Sequence, residues 1–132
     1  MRVVFDTNIY ISAFITPGGR GEAAYLKAVN GEVELVTSVP ILTELAGKLR
    51  GKFHWEDGQI KAAIRHVAAV ADVVKPVERL AVLADEPDNR ILECAREAHA
   101  ELIVTGDRHL LEQGNHEETA IVTLAAFLDG SN

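Results

Sequence analysis

The chain has 132 residues, with 13 lysines and arginines against 20 aspartates and glutamates, a formal net charge of −7 and a pI near 5.2. One compact domain accommodates that length, the single cysteine, Cys94, excludes an intrachain disulfide, and the acidic balance disfavours indiscriminate nucleic-acid binding, which draws on basic surface. No apolar run reaches the roughly 18 residues of a membrane span and the apolar N-terminus is interrupted too early for a secretory signal, so the expected setting is cytoplasmic.

Hydrophobic residues make up 48% of the chain but aromatics only 5%, so its core must be aliphatic. Residues 3–5 form a short run of the kind found in strands buried on both faces. Residues 9–14 begin a helical stretch that Thr16-Pro17-Gly18-Gly19 breaks, and residues 22–29 resume it until Asn30-Gly31. Residues 33–37 read as a second strand. Ser38 before Pro40 suits a helix start. Ile41, Leu45 and Leu49 give that helix its apolar stripe, and Gly51 ends it. Residues 58–71 form another helix, with Ile60, Ile64 and Val67 on one face and Asp57 as the expected cap. Residues 73–74 supply a third strand that stops at Pro76. Asp85 is placed to cap a helix over 87–98. Residues 102–105 and 120–122 complete the strands, and 124–128 form a short closing helix. Alternating strands and helices favour an α/β fold with a mostly parallel sheet.

In such a sheet, ligands sit beyond the carboxyl ends of the strands. Asp6 follows the first strand directly, and Asp107 follows Thr105-Gly106 after the fourth. Asp88 shares a helix face with Leu92 and Ala95, so it points inward at the first turn of its helix. Glu44 lies at the margin of the Ile41/Leu45 stripe. Each acid also has a plain role: a turn aspartate at Asp6, a helix-dipole partner at Asp88, an i,i+4 pair between Glu44 and Lys48, and a helix cap at Asp107. Asp85 is a rival ligand. Together the acids form an all-oxygen set suited to Mg²⁺ or Mn²⁺, since crowded carboxylates need a cation or protons to coexist. Such a site points to phosphodiester chemistry.

Four blocks carry a resemblance: Val3-Val4-Phe5-Asp6-Thr7-Asn8, Ser38-Val39-Pro40-Ile41-Leu42-Thr43-Glu44-Leu45, Asp85-Glu86-Pro87-Asp88-Asn89-Arg90-Ile91-Leu92-Glu93-Cys94-Ala95, and Leu102-Ile103-Val104-Thr105-Gly106-Asp107-Arg108-His109-Leu110-Leu111. In this order they resemble the PIN domain family, most closely its VapC-like members, the toxins of prokaryotic toxin–antitoxin modules. The resemblance spans nearly the whole chain. It implies a three-layer α/β fold with a five-stranded parallel sheet in the order 3-2-1-4-5. It also implies that Asp6, Glu44, Asp88 and Asp107 hold one or two Mg²⁺ or Mn²⁺ ions, that Asn8 and Thr105 orient the acids, and that the activity is endonucleolytic cleavage of RNA. A homodimer and a cognate antitoxin are the implied protein partners.

Lys48, Arg50 and Lys52, followed by Phe53-His54-Trp55, form a basic-aromatic patch that reads either as an RNA contact or as a solvated helix end with packed rings. Arg20, Arg90 and Arg108 lie near the motifs and are further candidates for phosphate. Gly19-Arg20-Gly21-Glu22-Ala23-Ala24 matches a dinucleotide fingerprint only formally, because no strand directly precedes it. No P-loop and no H-E-x-x-H pattern occurs. Two rivals remain. A phosphoryl-accepting domain would need an aspartate where Asn8 stands, or a lysine after Val122, where Thr123 stands. A non-catalytic interaction module, or a PIN nuclease that processes RNA outside any toxin pair, would keep the same fold.

Overall fold

The computed structural model describes residues 1–130. Strand β1 (Arg2–Phe5) leads into helices α1 (Thr7–Ile15) and α2 (Arg20–Val29), and β2 (Glu34–Ser38) into α3 (Val39–Gly51) and α4 (Asp57–Val70). Then come β3 (Asp72–Val74), a long loop, α5 (Glu86–Ala98), β4 (Leu102–Val104) and α6 (Arg108–Gln113). The hairpin β5 (Asn115–His116) and β6 (Thr119–Val122) precedes α7 (Leu124–Gly130). Among these helices none is long and apolar enough to cross a membrane.

The sheet runs β3-β2-β1-β4-β6-β5. Its first five strands are parallel and follow the expected order, with β6 as the fifth. The expectation of five strands is corrected by β5, which adds a sixth, antiparallel to β6. Two residues joined by a tight turn carry no periodicity, so this strand has no sequence signature.

Period-2 alternation assigns β1 to two helical layers. The Phe5 ring meets Tyr10 of α1 at 5.7 Å and Phe127 of α7 at 5.8 Å. Arg2, three positions back and therefore on the opposite face, donates from Nε to the carbonyl of Ala98 at 2.9 Å, where α5 ends. Val3, Val4, Phe5, Val36, Ile103 and Val104 are fully buried between the layers, each apolar side chain stabilising the fold by about 1.5–3 kcal/mol.

Local chemistry explains the helix ends. Helix α4 is capped by Glu56, not Asp57: a reciprocal capping box joins Glu56 and Gln59, which an acid followed by glutamine at N3 makes possible. Ser38 and Asp85 occupy the N-cap positions of α3 and α5 without a side-chain cap bond. Helix α2 starts at Arg20, two residues earlier than expected, because Gly21 fits against α1: a Cβ there would lie 2.7 Å from both Cβ and Oγ of Ser12. That packing accounts for the glycine pair that imitates a dinucleotide motif.

The loop before α5 is latched by Asn89. Its Oδ1 accepts from the amides of Val82 (3.1 Å) and Leu83 (2.8 Å), and its Nδ2 donates to the Leu83 carbonyl (2.8 Å) and Glu86 Oε1 (3.2 Å). Arg90 donates to Glu93 at 2.7 Å and to the Leu80 carbonyl at 3.1 Å. Its guanidinium is therefore committed to the loop rather than free for phosphate.

Candidate functional site

Pairing of Phe5 with Val104 sets the residues that follow β1 and β4 side by side. The Asp6 amide donates to the Val104 carbonyl at 3.0 Å. Thr105 Oγ1 donates to Asp6 Oδ2 at 2.7 Å and accepts from the Asp107 amide at 2.9 Å. Thr105 thus bonds to Asp6 and to the backbone of Asp107 at once. Asp107 caps α6, with Oδ1 accepting from the amides of His109 (2.8 Å) and Leu110 (3.1 Å).

Glu44 comes from the second turn of α3, beyond the end of β2. Thr7 Oγ1 donates to Glu44 Oε1 at 2.7 Å, joining α3 to the residue after Asp6. Thr7 is the functional neighbour that the sequence reading missed; its only signal was a hydroxyl adjacent to Asp6. Lys48 forms the expected i,i+4 pair with Glu44 at 3.4 Å, but its ammonium also donates to Thr7 Oγ1 at 3.0 Å. The Asn8 side chain makes no hydrogen bond to any of the four acids; its Oδ1 accepts from Lys48 at 3.4 Å.

Asp88 is only 6% exposed, and its Oδ2 has no hydrogen-bond partner among the described residues. Burial, helped by the charges of Asp107, Asp85, Asp6 and Glu44, pushes its carboxyl up to about 6. Asp6, Glu44, Asp107 and the rival Asp85 therefore all lie within electrostatic reach of Asp88. Burial also raises Asp6, against the opposing effects of the Thr105 hydrogen bond and the Lys48 charge. The acids surround one end of the sheet without closing on a point: among the described residues no three His, Cys, Asp or Glu side chains form a group that could hold an ion as they stand. Uncompensated like charges favour such spacing. The donors present are hard oxygens, and an unpartnered buried carboxylate oxygen faces their combined negative charge. That set fits Mg²⁺ or Mn²⁺ in ligand type.

The basic-aromatic patch divides. Lys48 turns into the acids, whereas Arg50 pairs with Asp57 at 3.1 Å and Lys52 lies 5.9 Å from the centre of the Phe53 ring. Trp55 packs against Phe14 at 6.4 Å. Arg20 and Arg108 are exposed. Cys94 is buried and its thiol is pushed up to about 12, which removes it as a nucleophile. A cavity of about 540 Å³, lined by Met1, Val33, Leu102 and Phe127 among others, contains none of the acids.

Comparison with known proteins gives a consistent result. The PIN domain family matches residues 2–109. The uncharacterized protein MJ1680 of Methanocaldococcus jannaschii is 32% identical over 116 residues, covering 84% of this chain and 74% of that protein. A chain in the structure of VapBC-1 from nontypeable Haemophilus influenzae superimposes with a TM-score of 0.66 at 18% identity, over 95% of this chain and 99% of that one. A chain of VapBC2 from Rickettsia felis, bound to a DNA fragment from its promoter, gives a TM-score of 0.64 at 14% identity, over 93% and 98%. At those identities the two structures establish likeness of fold.

Proposed function

This chain belongs to the PIN domain family, and from that premise we propose that it is a Mg²⁺- or Mn²⁺-dependent endoribonuclease, the toxin of a toxin–antitoxin pair. The observation that carries the reading is the buried, unpartnered Oδ2 of Asp88 among the charges of Asp6, Glu44, Asp85 and Asp107. An acid held that way destabilises the metal-free fold, and a divalent cation would offset the cost.

Asp6, Asp88 and Asp107 are the expected ligands, one or two ions being held in all. A bound divalent ion would supply an acidified water and positive charge for the phosphoryl oxygens. The chain's own residues do the rest. Thr105 fixes Asp6 in one orientation and ties Asp107 to it. Thr7 and Lys48 occupy Glu44 Oε1, which leaves Oε2 to orient an attacking water and accept its proton. The exposed Arg20, Lys52 and Arg108 are the candidate basic side chains to meet the RNA backbone.

The two VapBC structures are complexes by name, and on that likeness we extend to this chain a cognate antitoxin; the homodimer and the cytoplasmic location rest on the family resemblance alone. A PIN-fold interaction module without turnover is the second reading, favoured by the absence of a closed ligand group among the described residues. The deciding experiment is cleavage of single-stranded RNA with Mn²⁺. Asp6→Asn and Asp107→Asn should each cost on the order of a hundredfold or more in rate while circular dichroism stays unchanged. Full activity in both variants rejects the site, and no cleavage by the wild type under any divalent ion favours the silent module.

A further inference from the structure

The acidic site has an internal cation. The Lys48 ammonium carries three hydrogens and meets three side-chain oxygens: Thr7 Oγ1 at 3.0 Å, Glu44 Oε1 at 3.4 Å and Asn8 Oδ1 at 3.4 Å. Its side chain is 35% exposed, against 59% for its neighbour Arg50. The Thr7 hydroxyl has one proton and commits it to Glu44 at 2.7 Å, so toward Lys48 it acts as acceptor. Lys48, Thr7 and Glu44 therefore form a directed chain from cation to carboxylate.

Several of the other basic residues are occupied elsewhere. Arg2 pairs with Glu34 and Asp72, Lys27 with Glu32, Arg50 with Asp57 and Arg90 with Glu93. Among the described residues, Lys48 makes the one ion pair to any of Asp6, Glu44, Asp88 or Asp107. It is also the one basic side chain hydrogen-bonded to Thr7, the neighbour of Asp6 whose hydroxyl donates to Glu44.

We propose that Lys48 is a tethered counter-ion of the acidic site, which competes with the divalent cation and so sets the metal concentration at which the site fills. The inference rests on the metal-dependent reading above and deepens it. A divalent ion brought near Asp6 and Glu44 meets a positive charge already bonded to Glu44. The ammonium must then swing toward solvent on its four-carbon stem or remain against Coulomb repulsion, and either course weakens metal binding. In return, the metal-free protein keeps its carboxylates partly neutralised.

Calorimetric titration of Mn²⁺ into the wild type, Lys48→Met and Lys48→Arg tests this, together with melting curves in chelator and in saturating Mn²⁺. Lys48→Met keeps most of the stem and removes the charge, so it should bind Mn²⁺ about tenfold more tightly. Lys48→Arg should stay near the wild type. Without metal, Lys48→Met should melt below the wild type, and saturating Mn²⁺ should narrow that gap. Equal affinity in Lys48→Met and wild type would make Lys48 an ordinary surface partner of Glu44 and overturn the proposal. Weaker binding would make it a positioning residue for Glu44 and overturn it equally. If neither protein bound Mn²⁺, the metal-dependent reading itself would fail and the counter-ion with it, whereas binding in both with unequal affinity leaves that reading intact and judges Lys48 alone.

Discussion

Asp88→Asn should stabilise the metal-free protein at neutral pH, the reverse of what removing a structural carboxylate does. Folding raises the Asp88 carboxyl from the ordinary 3.8 to about 6. The native state then binds this proton more tightly than the unfolded chain, so stability falls as pH rises from about 4 to 6 and stays lowered above that window. The full shift corresponds to about 3 kcal/mol. Screening by the surrounding solvent reduces it, leaving an expected cost of about 1–2 kcal/mol. Asparagine keeps the shape and cannot ionise. In chelator at pH 7.5 the variant should therefore melt roughly 3–8 °C above the wild type, and near pH 4 the two should almost coincide. Mn²⁺ should reverse the order at pH 7.5, because a ligand bound only by the native state stabilises whichever protein holds it better. Calorimetry across this pH range, with and without Mn²⁺, decides the matter. A metal-free variant less stable than the wild type at pH 7.5 would show that Asp88 serves the α5 dipole, and the reasoning would be refuted.

Three more substitutions follow from the packing. Thr105→Val removes the donor to Asp6 and the acceptor for the Asp107 amide. Urea unfolding should show a loss of about 1–3 kcal/mol, accompanied by reduced RNA cleavage; a change below about 0.5 kcal/mol would mean that the two bonds are dispensable. Asn89→Ala unlatches the loop before α5 by deleting four hydrogen bonds, so limited proteolysis should cut between residues 77 and 85 at lower protease concentration, with about 2–3 kcal/mol of stability lost. Gly21→Ala forces a methyl against Ser12 of α1. It should cost about 1–3 kcal/mol in urea unfolding, and an unchanged midpoint would show that the α1–α2 contact is loose.

The strands that build the sheet were legible because burial on both faces leaves a continuous apolar run, as in Val3–Val4–Phe5, and because β-branched residues dominate β4. The inward turn of Asp88 was legible from its place on the Leu92/Ala95 face, and all three are buried. What remained hidden was chosen by neighbours distant in sequence. Glu56 and Asp57 are adjacent acids, and only the reach of Gln59 back to the Glu56 amide decides between them. Thr7 and Lys48 lie 41 residues apart, so their hydrogen bond exists only once α3 docks beside α1. Arg90 looked available for phosphate until the loop carbonyl of Leu80 claimed it. Local pattern therefore located the carboxylates, while tertiary packing chose the groups that hold them.

The brevity of the outermost strands limits how this protein meets other molecules. An exposed strand with free amides and carbonyls invites another chain to add to the ladder, with aggregation as the extreme outcome. Here one border of the sheet is the two-residue β5 and the other is the three-residue β3, whose Asp72 is tied to Arg2 by an ion pair. Neither border offers a continuous template for strand addition. Any partner would therefore meet helical surfaces and loops rather than a free strand.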